Sequence, residues 1–260
     1  MDKIPKTVHY CWFGKGKKSK MVNKCMESWK KYLLDYKIIE WNEDNFDINS
    51  NLYVRQAYEA KKYAFVTDYV RLYALYNYGG IYLDTDVEVL KSLDEFLEYD
   101  GFGGFESKEY CCTGILGCKK ENMIIKEFLD SYENDIFLKN NNEFNEIPNI
   151  VRFTEICCNH GLKLNNKEQE INGFKIFPKT IFSPLNARDI DNALSENTCT
   201  IHYFAGSWLT KKEYKKREKI KKYKKYKNFL CKFMSERSAY IILDFKWILI
   251  SKFNKMYPIE

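Results

Sequence analysis

Two aspartates, Asp84 and Asp86, stand two residues apart directly after the apolar run 81–83. In an extended chain, side chains at i and i+2 point to the same side, so both carboxylates face one place. At the end of a buried strand they lose hydration and repel each other, and a hard divalent cation relieves both effects. Because Mg²⁺ and Mn²⁺ complete their shells with phosphate oxygens, the pair predicts a platform for a metal-bound diphosphate.

A second aspartate pair of the same spacing, Asp189 and Asp191, lies in a polar stretch with no apolar run before it. We interpret this copy as a solvated loop or the start of a helix. A tripeptide of this kind occurs by chance about once in a few hundred residues, so it is a weak signal by itself. The stronger signal at 84–86 is the order of elements, in which a helix, two glycines and an apolar strand precede the pair.

The elements that must position the first pair come before it in the chain. Apolar side chains surround most of a predicted helix over 64–78, and Gly79 and Gly80 end it because glycine accepts the left-handed conformation. Asp68 and Arg71 are three residues apart and therefore share one face of this helix. An ordinary intrahelical ion pair is one interpretation. However, paired charges on a mostly buried helix need a further reason, and arginine can hold a diphosphate through two hydrogen bonds.

Residues 64–89 as a whole resemble the core signature of glycosyltransferase family 32. That family includes bacterial capsule and lipopolysaccharide sugar transferases and fungal α-mannosyltransferases, and the large clostridial glucosylating toxins share the local pattern. The opening stretch 4–14 is similar to the IPK-x-(I/V)-H-x-x-W-x-G pattern with which members often begin. The resemblance implies an α/β fold of the GT-A type, in which a mixed sheet flanked by helices binds a nucleotide sugar. The residues that carry it are Asp68, Arg71, Gly79, Gly80, Tyr82, Asp84 and Asp86, with Thr67 where many members have serine.

The resemblance also implies roles for individual residues on the donor side. Asp68 and Arg71 would act in catalysis by contacting the donor sugar and its phosphates. Trp12 and Tyr82 would lie beside the nucleotide. Ser207, in the stretch after the last predicted strand, would meet the donor diphosphate.

For the metal, the resemblance implies direct ligation by Asp86, while Asp84 would reach the cation through water and would also contact the donor. Trp208 would lie with Ser207 at the donor diphosphate. His202 ends a predicted strand, and it is a candidate further metal ligand because imidazole suits Mn²⁺. A structural histidine and a core tryptophan are the alternative interpretation of His202 and Trp208.

Three other positions bear on the site. We interpret His9 as a histidine of the core. Glu106 either faces the acceptor or is solvated. Residues 148–154 lack the Gly-Pro element that family members usually carry in this region, a departure that concerns recognition of the acceptor.

Charge and cysteine usage describe the rest of the chain. Residues 211–260 carry a net charge of +11, whereas residues 1–210 carry −5. We expect 1–210 to form the catalytic domain and 211–260 a basic helical extension that contacts an anionic membrane or a partner. No recognised nucleic-acid-binding motif accompanies this charge, so nucleic acid is not an expected partner.

Nine cysteines without a CxxC pair, no signal peptide and no membrane-spanning run indicate a cytoplasmic protein, with peripheral attachment to the inner face of the plasma membrane as an option.

Together with the resemblance, these features predict a metal-dependent glycosyltransferase, and the resemblance implies that it retains the anomeric configuration. It would move a hexose from a nucleotide sugar, with UDP-hexose as the expected donor, to a glycan or lipid-linked glycan in the synthesis of capsular or other cell-surface polysaccharide. Mn²⁺ or Mg²⁺ is the expected cofactor. The alternatives are a metal-dependent nucleotide-sugar hydrolase or nucleotidyltransferase and a non-catalytic membrane-associated scaffold. The absence of a glycine-rich phosphate signature near the N-terminus counts against nucleotidyl transfer.

Overall fold

The computed structural model describes residues 3–139, 143–185 and 194–206, with isolated positions between 215 and 235. The chain divides into two compact units, 1–208 and 209–260. Every helix and strand given below belongs to the first unit. Ser207, Trp208 and the second aspartate pair lie outside the described residues, as do most residues of the basic stretch after 210. The expected domain boundary and the helical extension therefore stay predictions.

Helices and strands alternate along the described part of the chain. The helices are α1 Lys20–Tyr32, α2 Leu52–Glu59, α3 Tyr63–Tyr78, α4 Met123–Asp130, α5 Asn149–Asn159 and α6 Lys179–Phe182. The strands are β1 Thr7–Cys11, β2 Lys37–Trp41, β3 Gly80–Leu83, β4 Val87–Val89, β5 Gly101–Gly104, β6 Ile115–Cys118, β7 Gln169–Ile171, β8 Phe174–Phe177 and β9 Thr200–His202.

Seven of these strands form one mixed sheet in the order β2-β1-β3-β6-β5-β8-β7. β1 runs parallel to β2 and β3, whereas β6 runs antiparallel to its neighbours β3 and β5. β4 and β9 form a separate antiparallel pair. Helices flank this mixed sheet, so the expected α/β fold class is confirmed.

The buried core lies on both faces of the large sheet. Successive side chains of a strand point to opposite faces. On β3, Tyr82 packs in the hydrophobic cluster that contains much of α3, while Ile81 and Leu83 pack in the cluster that contains Trp29 of α1. β3 is therefore a fully buried central strand, and its carboxyl end can present side chains that the core holds rigidly.

Helix α3 ends where the two glycines predict. Gly79 has φ 64° and donates its N–H to the carbonyl of Leu75 at 2.9 Å, and Gly80 has φ 102°. A Cβ on Gly79 would come within 2.8 Å of the backbone nitrogen of Lys120. Both the backbone conformation and the close approach therefore require glycine.

Two predicted boundaries are wrong. The apolar pattern of residues 123–137 predicts one helix, but α4 ends at Asp130, and the polar residues 133–135 that follow favour turns. The polar, asparagine-rich stretch 139–149 predicts a loop, but Asn149 is the first residue of α5. This second difference changes the interpretation of Asn149, which becomes part of a buried network at the site.

No helix within the described residues is both long enough and apolar enough to cross a lipid bilayer. All nine cysteines are free thiols, and seven of them are buried. Two of the buried thiols, Cys111 and Cys112, follow β5 closely in the chain and lie near the candidate site.

Candidate functional site

The aspartate pair occupies the tight turn between β3 and β4. Asp84 donates its backbone N–H to the carbonyl of Gly114 at 2.8 Å, and Val87 donates to the carbonyl of Asp84 at 3.0 Å. The hydroxyl of Tyr82 donates to Asp84 Oδ1 at 2.9 Å. The buried strand therefore fixes Asp84 through both its backbone and its side chain.

Pairing between β4 and β9 brings His202 to this turn, with Val87 opposite His202 in the register. His202 Nε2 lies 3.2 Å from Asp86 Oδ1 and 3.9 Å from Asp84 Oδ2. The other oxygen of Asp86 accepts a hydrogen bond from the backbone N–H of Ala205 at 2.7 Å. Asp84, Asp86 and His202 each offer one ligand atom, and these three atoms lie within 4.8 Å of one another. Two carboxylates and one imidazole form a donor set that fits Mn²⁺ or Mg²⁺.

Gly114 provides the space in which these groups meet. A Cβ at this position would lie 2.8 Å from His202 Cε1 and 3.1 Å from Asp84 Oδ2. Any other residue would push the imidazole or the carboxylate aside. Sequence analysis missed Gly114, because nothing in the stretch 113–118 shows that β9 will pack against it.

Asp68 and Arg71 form more than an intrahelical ion pair. Arg71 contacts Asp68 Oδ1 at 3.0 Å and also Asp84 Oδ1 at 3.3 Å, so one guanidinium joins the helix to the aspartate pair. It donates a further hydrogen bond to the carbonyl of Thr113 at 2.8 Å and lies 4.6 Å from the centre of the Tyr82 ring. Both side chains of the pair are largely buried. The structure thus brings Asp68, Arg71, Tyr82 and Asp84 together, and their roles in binding a donor stay predictions.

Asn149 holds Asp68 from the opposite side and was missed by sequence analysis. Its amide nitrogen donates to Asp68 Oδ1 at 2.7 Å, and its amide oxygen accepts from the hydroxyl of Thr113 at 2.9 Å. Asp68 Oδ1 therefore accepts from two donors, while Oδ2 has no hydrogen bond to any described residue. This arrangement leaves Oδ2 available to a ligand hydroxyl. Asn149 is a polar residue directly after Pro148, and this position could have drawn attention to it. The prediction assigned it to a loop instead.

Burial and neighbouring charges shift the pKa values of the ionisable groups at this site. Burial raises the pKa of Asp68 to about 7, with Arg71 opposing part of that effect. Burial would also raise the pKa of Asp86, but His202 beside it brings the pKa down to about 2. Burial opposes the charge of His202, yet Asp86 raises the pKa of that imidazole well above its usual value. The carboxylates therefore favour positive charge at this site, whether it is on the imidazole or on a bound cation.

Trp12 lies just beyond β1, at the same edge of the sheet as Asp84. Its indole N–H donates to the carbonyl of Gly16 at 2.7 Å, and the ammonium of Lys18 lies 5.3 Å from its ring centre. Among the described residues, no hydrogen bond joins Trp12 to the aspartate pair. Glu106 lies with His202 and Cys112, close enough for the three to offer ligand atoms within 4.8 Å of one another.

Residues 19–102 match the protein family described as "Glycosyltransferase sugar-binding region containing DXD motif". The chain is 29% identical over 107 residues to inositol phosphoceramide mannosyltransferase 1 of Schizosaccharomyces pombe, a match that covers 37% of this chain and 32% of the relative. It is 31% identical over 129 residues to an uncharacterized protein of Arabidopsis thaliana, which covers 48% of this chain and 19% of that protein. The chain thus spans about a third or less of these curated relatives.

Solved structures with similar architecture include the glycosyltransferase PaToxG, at 17% identity and a TM-score of 0.46, with 61% of this chain and 69% of that chain covered. A further one is the galactosyltransferase LgtC in complex with donor and acceptor sugar analogs, at 13% identity and a TM-score of 0.41, covering 83% and 94%. The family match spans helix α1 through β5 and includes Asp68, Arg71, Tyr82, Asp84 and Asp86. Residues 19–102 therefore match a glycosyltransferase sugar-binding region with a DXD motif, and the predicted resemblance to glycosyltransferase family 32 is confirmed.

Proposed function

We propose that this chain is a metal-dependent retaining glycosyltransferase that moves a hexose from a nucleotide sugar to a hydroxyl group of a glycan or lipid-linked glycan. The observation that carries the proposal is the convergence of Asp84, Asp86 and His202 beside Asp68 and Arg71. Metal-ligating oxygens and nitrogens meet a buried arginine and a buried carboxylate at the carboxyl end of a central strand. Ligands of α/β sheets bind at such strand ends.

In this proposal Asp86 and His202 hold the cation directly, and Asp84 assists from the same turn. A bound Mn²⁺ or Mg²⁺ would offset the negative charge that develops on the leaving diphosphate. Arg71 is fixed by the carbonyl of Thr113 and by two carboxylates, so it would present the rest of its guanidinium edge to the donor without reorganising. Asp68 would accept a hydroxyl of the donor sugar at Oδ2.

The remaining donor contacts are proposed from the resemblance. Tyr82 and Trp12 would flank the nucleotide, and Ser207 and Trp208 would close over the diphosphate. UDP is the expected nucleotide. Among the described residues, only Tyr82 of these four contacts the site directly, through its hydrogen bond to Asp84 and its ring beneath Arg71.

Thermal unfolding in the presence of nucleotide tests this proposal. A ligand that binds only the folded protein stabilises it by about 2.7 kcal/mol at a hundred times its dissociation constant. We expect UDP to raise the melting temperature only when Mn²⁺ is present, and we expect Asp86→Asn to lose that increase. Asp35→Asn is a matched control, since Asp35 pairs with Lys6 on the surface. No increase with UDP or GDP in folded protein would contradict the proposal and favour a scaffold.

Product analysis separates transfer from hydrolysis. A transferase consumes the nucleotide sugar faster when an acceptor hydroxyl is supplied and yields a glycoside, whereas a hydrolase yields free hexose at the same rate with or without an acceptor. Proton NMR of the first-formed glycoside gives the anomeric configuration. An α-linked product from an α-linked donor is expected for retention, and a β-linked product would contradict it.

The cellular setting of this activity is also a proposal. The net charge of +11 over residues 211–260 favours contact with an anionic membrane surface from the cytoplasmic side, where lipid-linked acceptors for capsular or other surface polysaccharide would be available. Co-sedimentation with anionic vesicles should fall when the chain is shortened to residue 210. Equal sedimentation of the full and shortened chains would contradict membrane contact through this stretch.

A further inference from the structure

The imidazole of His202 stands between two different sets of ligand atoms. Nε2 faces Asp86 and Asp84, the oxygen-rich side already described. Nδ1 faces the sulfur of Cys112 at 3.8 Å. One oxygen of Glu106, the Cys112 sulfur and a nitrogen of His202 lie within 4.8 Å of one another. The second side therefore offers a thiol, a carboxylate and an imidazole in one place.

The separation of Cys112 and His202 is close to that of two ligands in a tetrahedral zinc site. Zinc binds sulfur at about 2.3 Å and imidazole nitrogen at about 2.0–2.1 Å, so the two ligand atoms of one ion should lie roughly 3.6 Å apart. The observed separation of 3.8 Å between Cys112 Sγ and His202 Nδ1 needs only a small adjustment. Manganese and magnesium prefer oxygen ligands, and thiolate favours zinc and related soft cations.

Charge and supporting contacts also suit a dication here. The Cys112 thiol would lose its proton to solvent as the sulfur bound the cation, and the resulting thiolate together with the Glu106 carboxylate would offset both positive charges. The hydroxyl of Ser183 already donates to the Cys112 sulfur at 3.2 Å, and outer contacts of this kind orient metal ligands. Cys112 and His202 are buried, whereas Glu106 is partly exposed.

We propose that Glu106, Cys112 and His202 form a second metal site, selective for a thiophilic divalent cation such as Zn²⁺. A neutral imidazole has one lone pair in its ring plane. A cation between Asp84 and Asp86 needs that lone pair on Nε2, with the ring proton on Nδ1. A cation at Cys112 needs it on Nδ1, with the proton on Nε2 facing Asp86. Zinc at the second site therefore removes His202 as a ligand of the cation between Asp84 and Asp86. This competition rests on the proposed function.

Cobalt(II) is the probe that identifies the site, because a thiolate ligand gives it a charge-transfer absorption band in the near ultraviolet that oxygen and nitrogen ligands do not give. The band is expected when Co²⁺ is added to the wild-type chain under reducing conditions. It is expected to persist in Asp86→Asn and to be lost in Cys112→Ser. Cys199→Ser is a matched control, since Cys199 is also buried and lies outside both ligand sets.

Zinc competition provides the second measurement. Zn²⁺ should abolish the Mn²⁺-dependent stabilisation by UDP in the wild type, and Cys112→Ser should need at least roughly tenfold more Zn²⁺ for the same effect. If Cys112→Ser does not fold, X-ray absorption of the zinc-loaded wild type should show one sulfur ligand. No cobalt band in the wild type, a band that survives Cys112→Ser, or a zinc spectrum without sulfur would overturn this site. A Mn²⁺-dependent response to UDP would still stand in each of those cases, so the two proposals fail separately.

Discussion

The molecule contains two buried strand histidines whose surroundings are opposite in chemistry. His9 on β1 is fully buried, and His202 on β9 is 8% exposed. The ring of His9 contacts the carbonyl of Gly79 at 2.8 Å and accepts from the indole N–H of Trp41 at 3.1 Å. The ring of His202 contacts the carboxylate of Asp86 and the sulfur of Cys112.

The two environments act on protonation in opposite directions. Burial lowers the pKa of His9 to about 4, because its neutral partners do little to favour the charged ring. Burial acts on His202 as well, but the nearby Asp86 carboxylate outweighs it and raises the pKa of that ring. The burial of a histidine therefore says little about its role, whereas the chemistry of its partners says a great deal. The interpretation of His9 as a core histidine agrees with its two neutral partners.

The largest expected effect is on His202. In His202→Gln the side chain keeps a hydrogen-bonding amide but loses the imidazole lone pair. We expect the Mn²⁺-dependent kcat/KM to fall by more than about 100-fold, since even outer contacts of a metal site are worth 10–100-fold. Activity assays over a range of Mn²⁺ concentrations check this. If kcat/KM falls by less than tenfold and the affinity for Mn²⁺ is unchanged, His202 is a structural residue like His9.

The other histidine should make its own contribution to the pH dependence of stability. The pKa of His9 is about 4 in the folded protein against a usual value of 6.5, so the unfolded chain takes up a proton first as the pH falls. The stability that neutral His9 contributes is fully present above pH 6.5 and is lost as the pH falls towards 4, a change of roughly 3 kcal/mol. Urea unfolding of the wild type and of His9→Gln should diverge over this pH window. Parallel curves would show that His9 is not held neutral.

At neutral pH, replacement of His9 should cost stability and leave activity per folded molecule unchanged. His9→Leu leaves the carbonyl of Gly79 and the indole N–H of Trp41 without partners. An unsatisfied buried polar group costs about 1–3 kcal/mol. Denaturant unfolding measures the loss, and kcat/KM at saturating Mn²⁺ is the comparison. If His9→Leu loses activity but not stability, the two histidines do not differ in role in this way.

Asn149 gives a smaller test of whether a buried polar residue serves the site or only the fold. Protein groups bind both ends of its amide, as they bind both nitrogens of His9. Asn149→Asp removes the donor to Asp68 and places a second carboxylate against it. We expect roughly tenfold weaker donor binding, because hydrogen bonds to charged groups are worth about 1.5–3 kcal/mol. Asn122→Asp is the matched control, since Asn122 caps α4 and aspartate caps helices equally well. Equal donor affinity for wild type and Asn149→Asp would show that Asn149 only supports the fold.

The local part of the site could be predicted from the sequence, and the non-local part could not. Helix α3, its glycine stop, β3 and the aspartate turn are contiguous, so periodicity and glycine conformation predicted these elements. The family resemblance, not the periodicity, implied that Asp68, Arg71, Tyr82 and Asp84 share one site. His202 was identified as a candidate, but its approach to Asp86 depends on the pairing of β4 with β9. No local pattern encodes that pairing.

The missed residues share this cause. Gly114, Asn149 and Cys112 matter because of groups far away in the chain, and each looks ordinary among its own neighbours. Asn149 was also hidden by a wrong boundary. Residues 139–149 were assigned to a loop because they are polar and rich in asparagine. Helix α5 instead begins at Asn149, whose amide reaches Asp68.

The pairing of β4 with β9 has a consequence for how the protein matures. Ala205 and Asp86 are in hydrogen-bond contact although 119 residues separate them in the chain. Contacts of such long range form late, because closing the loop between them is entropically costly. During synthesis, the aspartate turn leaves the ribosome well before its histidine partner does. Metal-dependent nucleotide binding would thus appear only once β9 has docked, which makes it a reporter of completed folding for this unit.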